Sequence, residues 1–140
     1  MSTLLRGVKI TMLFRLKTSE RTQQILEDLY SSTHLTPNIL SRIAISLSLL
    51  DEKADIENIN YDSRGIEFNR NTLTGDLDFI YKSLIAQSLE REITDEEYFP
   101  GLIKKHLDRG ARLLESEYKY TGNYEKFLSS ISSLDIEVLR

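Results

Sequence analysis

The sequence predicts a mainly α protein: one short N-terminal strand, two helices, and a helical extension behind them. Three observations predict it. Gly (6) and Pro (2) are scarce in 140 residues, which favours helices over a turn-rich β fold. Apolar residues recur at helical spacing through most of the chain. One stretch near the N-terminus instead alternates with period two. Hydrophobic residues make up 40% and charged residues 29%, the balance of a globular chain with an ordinary core rather than a disordered one. The expected organisation is one domain over residues 1–140, with the strand and two helices at 8–50, the helical extension at 51–120 and a tail at 121–140.

Residues 8–17 form the alternating stretch. Val8, Ile10, Met12, Phe14 and Leu16 fall on one face, and Lys9, Thr11, Leu13, Arg15 and Lys17 on the other. Thr18 or Ser19 can accept hydrogen bonds from the free N–H groups of a first helix, whose apolar stripe is Ile25, Leu26 and Leu29. The stripe breaks at 31–35. Thr36 caps a second helix with Pro37 at its first position, where a missing N–H costs nothing. Ile39, Leu40, Ile43, Ala44, Leu47 and Leu50 make this helix too apolar to lie alone on a surface, so it belongs in the core or at a dimer interface. Residues 51–64 are polar and acidic and read as a connection. Leu77, Ile80, Tyr81, Leu84, Ile85 and Leu89 mark a third helix starting near Thr74 or Asp76. A fourth starts at Thr94-Asp95-Glu96-Glu97, tolerates Pro100 in its first turn, and carries Leu102, Ile103, His106, Leu107, Ala111, Leu113 and Leu114 to about Tyr118. Gly122-Asn123 is a stop, and the tail from Tyr124 has a weak helical pattern at Phe127, Leu128 and Ile131. Strand, helix, turn, helix is the ribbon-helix-helix order, in which strands from two copies pair antiparallel and lie in a DNA groove.

Formal net charge is −4, but its distribution is uneven. Residues 1–42 hold six basic and three acidic residues, +3; the remainder holds 12 basic and 19 acidic, −7. A basic N-terminal segment on an acidic body suits a protein that meets an anion with one face. The strand's outward side chains, Lys9, Thr11, Arg15 and Lys17, either meet DNA or form a solvated charged face. The second helix start, with Thr36, Pro37, Asn38 and Arg42, is either a phosphate site or a plain cap. The string Glu67-Phe-Asn-Arg-Asn-Thr-Leu-Thr-Gly-Asp reads first as a buried polar turn, with Arg70 as its one residue to test for DNA contact.

Catalysis by this chain alone is not expected. No Cys is present, which excludes disulfides and thiolate chemistry and fits a reducing compartment. The two His residues, His34 in a turn and His106 on a helix, lie 72 positions apart, and His106 reads as structural. No metal-ligand spacing, phosphate-binding loop or nucleophile elbow occurs, so neither metal nor cofactor is expected. No apolar run approaches the roughly 20 residues of a membrane span, and no signal peptide is read, so the expected location is the cytoplasm.

Arg15-Leu-Lys-Thr-Ser-Glu-Arg, His34-Leu-Thr-Pro-Asn-Ile-Leu-Ser-Arg-Ile-Ala, Glu67-Phe-Asn-Arg-Asn-Thr-Leu-Thr-Gly-Asp and His106-Leu-Asp-Arg-Gly, in this order, resemble the DndE family of DNA sulfur-modification proteins. The resemblance spans residues 14–114 and holds best at 16–19, 35–44, 67–75 and 106–110. It implies a small, mostly helical, homo-oligomeric protein, a dimer or a tetramer. Such a protein binds duplex DNA, with a preference for nicked duplex, and is not itself the sulfur-transfer enzyme. The implied partners are a reductase-like sulfur-transfer subunit, an ATPase-like subunit and a cysteine desulfurase, in a system that replaces a non-bridging phosphate oxygen with sulfur. Ser41 stands where the family has a Cys-containing variant of the helix, so no thiol role transfers. The DNA contacts expected are Lys9, Arg15, Lys17, Arg21, Asn38, Arg42 and Arg70. A ribbon-helix-helix transcription regulator is the alternative, and a structural adaptor that binds protein is a third reading.

Overall fold

Leu16 opens the structure as a fully buried side chain between two exposed cations, as period-two alternation requires. The computed structural model describes residues 15–51 and 55–138. The strand expected over residues 8–14, with Lys9 on it, lies outside the described residues. β1 (Arg15–Lys17) leads into α1 (Glu20–Thr33) and α2 (Pro37–Leu50). A 3-10 turn (Ile56–Asn58) precedes β2 (Glu67–Asn69), the short α3 (Arg70–Leu73), a second 3-10 turn (Gly75–Leu77) and α4 (Asp78–Leu89). A wide turn (Glu97–Leu102) enters α5 (Ile103–Thr121), and α6 (Tyr124–Val138) completes the chain's described elements. The fold is mainly α: a strand-helix-helix unit extended by further helices.

β1 pairs antiparallel with β2 of the same chain, Arg15 opposite Asn69, Leu16 opposite Phe68 and Lys17 opposite Glu67. Over the described residues the partner of β1 is thus a strand of its own chain, where the ribbon-helix-helix order suggested a strand from a second copy. Sequence reading missed β2 because it has three residues and its partner lies about fifty positions away. Its only local sign is that Phe68 alternates with the polar Glu67 and Asn69.

The helix starts obey their caps. Thr22 N donates to Ser19 Oγ at 3.1 Å, and Ile39 N donates to Thr36 Oγ1 at 3.4 Å with Pro37 at the first position. His34 ends α1 in the left-handed region (φ 61°), its N–H reaching Tyr30 O. Thr74 does not cap α4; the helix begins at Asp78, after Gly75 has turned the chain at φ +51°. Thr94 and Glu97 cap each other as the sequence suggested. The helix they start is interrupted at once: Phe99 is extended (φ −126°, ψ 129°) before a cis bond to Pro100, because the residue preceding a proline is forced out of the α region. Regular helix resumes at Ile103.

α5 is the spine. Ile103, Leu107, Ala111 and Leu114 are fully buried against Leu40, Ala44 and Ile45 of α2, and against Ile25, Leu26 and Leu29 of α1. α2 thus packs one side into its own chain's core, while Ile39 and Leu50 near its two ends are 42% and 44% exposed. Gly110 sets how close α2 and α5 approach: a Cβ there would stand 1.7 Å from the Ala44 carbonyl oxygen. At the far end Phe127 of α6 is buried edge-on to Tyr118, with centroids 5.1 Å apart.

His106 packs at the same interface, its Nδ1 2.8 Å from Ser48 Oγ. Arg109 Nη1 donates to that oxygen at 3.1 Å, which leaves the Ser48 proton for Nδ1. Burial, helped by Arg109, holds the imidazole pKa down at about 4.

Gly110→Ala should cost at least about 3 kcal/mol in urea unfolding, since backbone, not a flexible side chain, must move; a loss below about 1 kcal/mol would show that α2 and α5 slide apart freely. Because the folded pKa of His106 lies below its unfolded value, its contribution is full above about pH 6.5 and is lost as pH falls towards 4, a difference of about 3 kcal/mol. Wild-type stability should carry that slope and His106→Gln should lack it; equal slopes would mean the ring charges freely in the fold.

Candidate nucleic-acid interface

The outward face of the β1–β2 ribbon carries Arg15 and Lys17 from one strand and Glu67 and Asn69 from the other. In a ribbon of two β1 strands every outward cation would be doubled. Here β2 contributes a carboxylate and an amide instead, and the described face has a net charge of +1. Arg15 stands 3.8 Å from Glu67, with both side chains more than half exposed, an ion pair worth little in water. Lys17 makes no ion pair among the described residues.

The junction between β1 and α1 aims the ribbon. Thr18 N donates to Ile66 O at 2.9 Å, and Gly65 N returns a bond to Thr18 O at 2.8 Å. Ile66 N also donates to Thr18 Oγ1. Gly65 passes so close that a Cβ would lie 2.1 Å from Ser19 O. The first N–H groups of α1 then meet two carboxylates. Ser19 N donates to Asp108 Oδ1 at 3.0 Å, Thr22 Oγ1 donates to the same oxygen at 2.6 Å, and Glu20 N donates to Asp62 Oδ2 at 2.9 Å. The Glu20 N–H foremost, then Arg64, holds the Asp62 carboxyl below its ordinary range against some burial. Asp108 is fully buried and also takes the Lys104 ammonium. Lys104 further donates to Asp62 O at 2.8 Å, so this lysine is part of the frame.

The other expected contacts have separate fates. Arg21 is partly exposed and grips both oxygens of Glu115 on α5, at 2.8 and 2.9 Å. Asn38 is half-buried in the first turn of α2. Arg42 turns away from that helix start: its Nε and Nη2 donate to the carbonyls of Leu73 and Thr72 at 2.9 and 3.0 Å, closing the C-terminal end of α3.

Arg70 is buried. Its guanidinium forks onto Asp78 (3.1 and 2.7 Å) and Asp95 (2.9 and 2.7 Å), with its Cζ 5.3 Å from the Tyr98 ring centroid and 5.2 Å from that of Phe99. Thr74 Oγ1 and Tyr98 Oη also donate to Asp78. Asp95 foremost, then Asp78, holds the guanidinium protonated. Burial pushes the Asp78 carboxyl up, but Arg70, Thr74 and Tyr98 together outweigh it and hold the group below its ordinary range. Arg70 lowers Asp95 likewise. Burial, with the nearby Asp78 charge, drives the Tyr98 hydroxyl far up. This is the buried polar turn the Glu67–Asp76 string suggested, and Arg70 lies within it rather than on the ribbon face.

Sequence reading missed Asp62 and Asp108. The second sits inside the string His106-Leu-Asp-Arg-Gly, and a lone acid on the inner face of an apolar helix is the signal that was available. No group of three or more His, Asp or Glu that could hold a metal ion occurs among the described residues. No helix among them is long and apolar enough to cross a membrane.

Residues 15–121, from β1 to the last residue of α5, match a family described as DndE, DNA sulphur modification protein DndE. The crystal structure of DndE from Escherichia coli B7A, involved in DNA phosphorothioation modification, superposes with a TM-score of 0.58 at 20% identity. The match covers 70% of this chain and 94% of that one, and at this identity it speaks for the fold. No curated protein matches. α6 lies beyond the family match.

Replacing Arg70 by Met should cost about 3 kcal/mol, because two carboxylates lose the cation between them, whereas Arg15→Met should stay within about 0.5 kcal/mol. The Asp78 and Asp95 pKa values are depressed in the fold, so this stabilisation is present above about pH 4 and fades as pH falls below it. The Arg70→Met penalty, read from urea melts, should therefore shrink in acid; a penalty independent of pH would assign the loss to packing alone.

Proposed function

We propose that this chain, which belongs to the DndE family of DNA sulphur modification proteins, is the system's non-catalytic DNA-binding subunit and holds duplex by its phosphates through the outer face of the β1–β2 ribbon. The observation that carries the reading is Lys17 together with Arg15: both are exposed and adjacent on one rigid face, and Lys17 has no ion-pair partner among the described residues. Arg42 and Arg70 are spent on backbone and carboxylate partners, so the contact set narrows to Arg15 and Lys17, with Lys9 preceding them and Arg21 flanking them. Arg21 is also held by Glu115, so it serves position more than affinity. A face of cations with few shaped donors reads backbone rather than bases. Nicked duplex is the preferred form by resemblance, with the sulfur-transfer, ATPase-like and desulfurase subunits as partners and the cytoplasm as location. Self-association, as dimer or tetramer, is retained from the same resemblance, with β1 already holding one strand partner within its own chain. That internal pairing also counts against the alternative of a palindrome-reading regulator, which needs two β1 strands side by side.

Binding should fall steeply with salt, each neutralised phosphate adding roughly 0.9 to the slope of log affinity against log salt. Arg15→Glu with Lys17→Glu should abolish binding to intact and nicked duplex at low salt, read by fluorescence anisotropy, while the helical signal stays unchanged. Lys126→Glu, an exposed cation on α6, should bind as wild type does. Wild-type affinity in the double reversal would make the ribbon a solvated face and the protein an adaptor.

A further inference from the structure

α4 is the helix whose outer face does not match its surroundings. Tyr81 and Ile85 are buried on its inner side. On the outer side Phe79 is 78% exposed, Ile80 51% and Leu84 42%, with Leu77 just before the helix at 41%. Gln87 and Ser88 complete that side without charge. Between Asp78 and Glu90 the only charged residue is Lys82, which is half-buried and lies 3.6 Å from Asp95. A helix apolar all round belongs inside a structure, not on its surface. Beside Leu84 a groove of about 610 Å³ is lined by Leu49, Gln87, Ser88 and Glu90.

The charge around this face decides what covers it. Residues 75–97 hold seven acidic and two basic residues. Arg91, one of the two basic residues, is bound to Glu57 at 2.5 Å and to Glu97 at 2.9 Å. Asp76, Glu90, Glu92 and Glu96 make no ion pair among the described residues. An apolar strip between unneutralised acids repels phosphate, so nucleic acid does not fit it. A second copy related by a twofold axis on this face would bring the same acidic ends against these. The complementary surface has an apolar centre and a basic rim.

We propose that the outer face of α4, with the groove beside Leu49 and Leu84, docks an amphipathic helix of a different protein whose apolar stripe is flanked by Lys or Arg. The inference rests on the reading of this chain as one subunit among several. It places protein contact on α4 and DNA contact on the ribbon.

The probe is a synthetic amphipathic helix with a Leu stripe and Lys flanks, set against the same helix with Glu flanks. The Lys-flanked peptide should bind the full chain at least about tenfold more tightly, the scale of a few rim charge pairs, and shift amide resonances across residues 77–90. Leu84→Glu should abolish this binding. Asp76→Lys with Glu90→Lys should reverse the preference, and Glu27→Lys with Asp28→Lys on α1 should not. Helical signal and duplex binding report whether each variant is intact. Equal affinity for both peptides, or shifts centred elsewhere, would overturn the proposal. So would a dimer in sedimentation that Leu84→Glu turns into monomer, which would assign the face to a second copy. Loss of DNA binding by the ribbon variants bears on the ribbon reading alone, because the peptide assay contains no DNA.

Discussion

Asp108 is the constraint on which the candidate interface depends. It lies on the inner side of α5, with none of its surface exposed, and accepts from Ser19 N, Thr22 Oγ1 and Lys104. A buried carboxylate is tolerable only when its oxygens are filled, and removing one partner of such an arrangement costs about 3–5 kcal/mol. Those partners include the N–H of the α1 cap and a hydroxyl of its first turn, where β1 ends. A residue near position 110 thus fixes the direction in which Arg15 and Lys17 leave the molecule. Gly110 fixes the same helix against α2 two residues later, and Arg109 ties it to Ser48 and Asp51. The His106–Gly110 string works as a fastener between the spine and the N-terminal unit.

Arg70 performs the parallel task on the other side. It joins α3 to the start of α4 and to the turn before α5, stacking on Tyr98 and Phe99 as it does so. Arg42 closes α3 from α2. Of the six cations expected to face DNA, Arg42 and Arg70 are scaffolding, Arg21 is shared with Glu115, Lys9 lies outside the described residues, and Arg15 and Lys17 stay exposed on the ribbon. The acidic body is equally organised. Asp62, Asp78, Asp95 and Asp108 brace connections, whereas Asp76, Glu90, Glu92 and Glu96 stand around α4 without an ion pair among the described residues.

Local chemistry was legible. Thr36 and Pro37 mark the α2 start to the residue, Ser19 caps α1 and Gly122 stops α5; the stripes of α1 and α5 name core residues, whereas Ile39 and Leu50 of the α2 stripe and Leu77, Ile80 and Leu84 of the third stripe are exposed. The buried polar turn at 67–76 was readable because so many turn-satisfying groups crowd one short string. What was not legible depends on distance along the chain. β2 is three residues whose sole purpose is to meet β1. Arg42 reaches carbonyls 30 positions away, and Asp108 reaches α1 across 86. The capping signals at Thr94 and Glu97 suggest one continuous helix, but Pro100 restricts Phe99 to an extended backbone and interrupts it. A basic stretch announces cations but not which of them already have partners. That is why the site residues were harder to read than the fold.

On the proposed reading DNA meets the ribbon while α4 faces elsewhere. Amide resonances of the ¹⁵N-labelled chain, titrated with a short nicked duplex at low salt, test it most directly. Shifts are expected at residues 15–21 and 67–69, with residues 79–90 unmoved. Shifts centred on residues 79–90, with Arg15 and Lys17 unaffected, would contradict it.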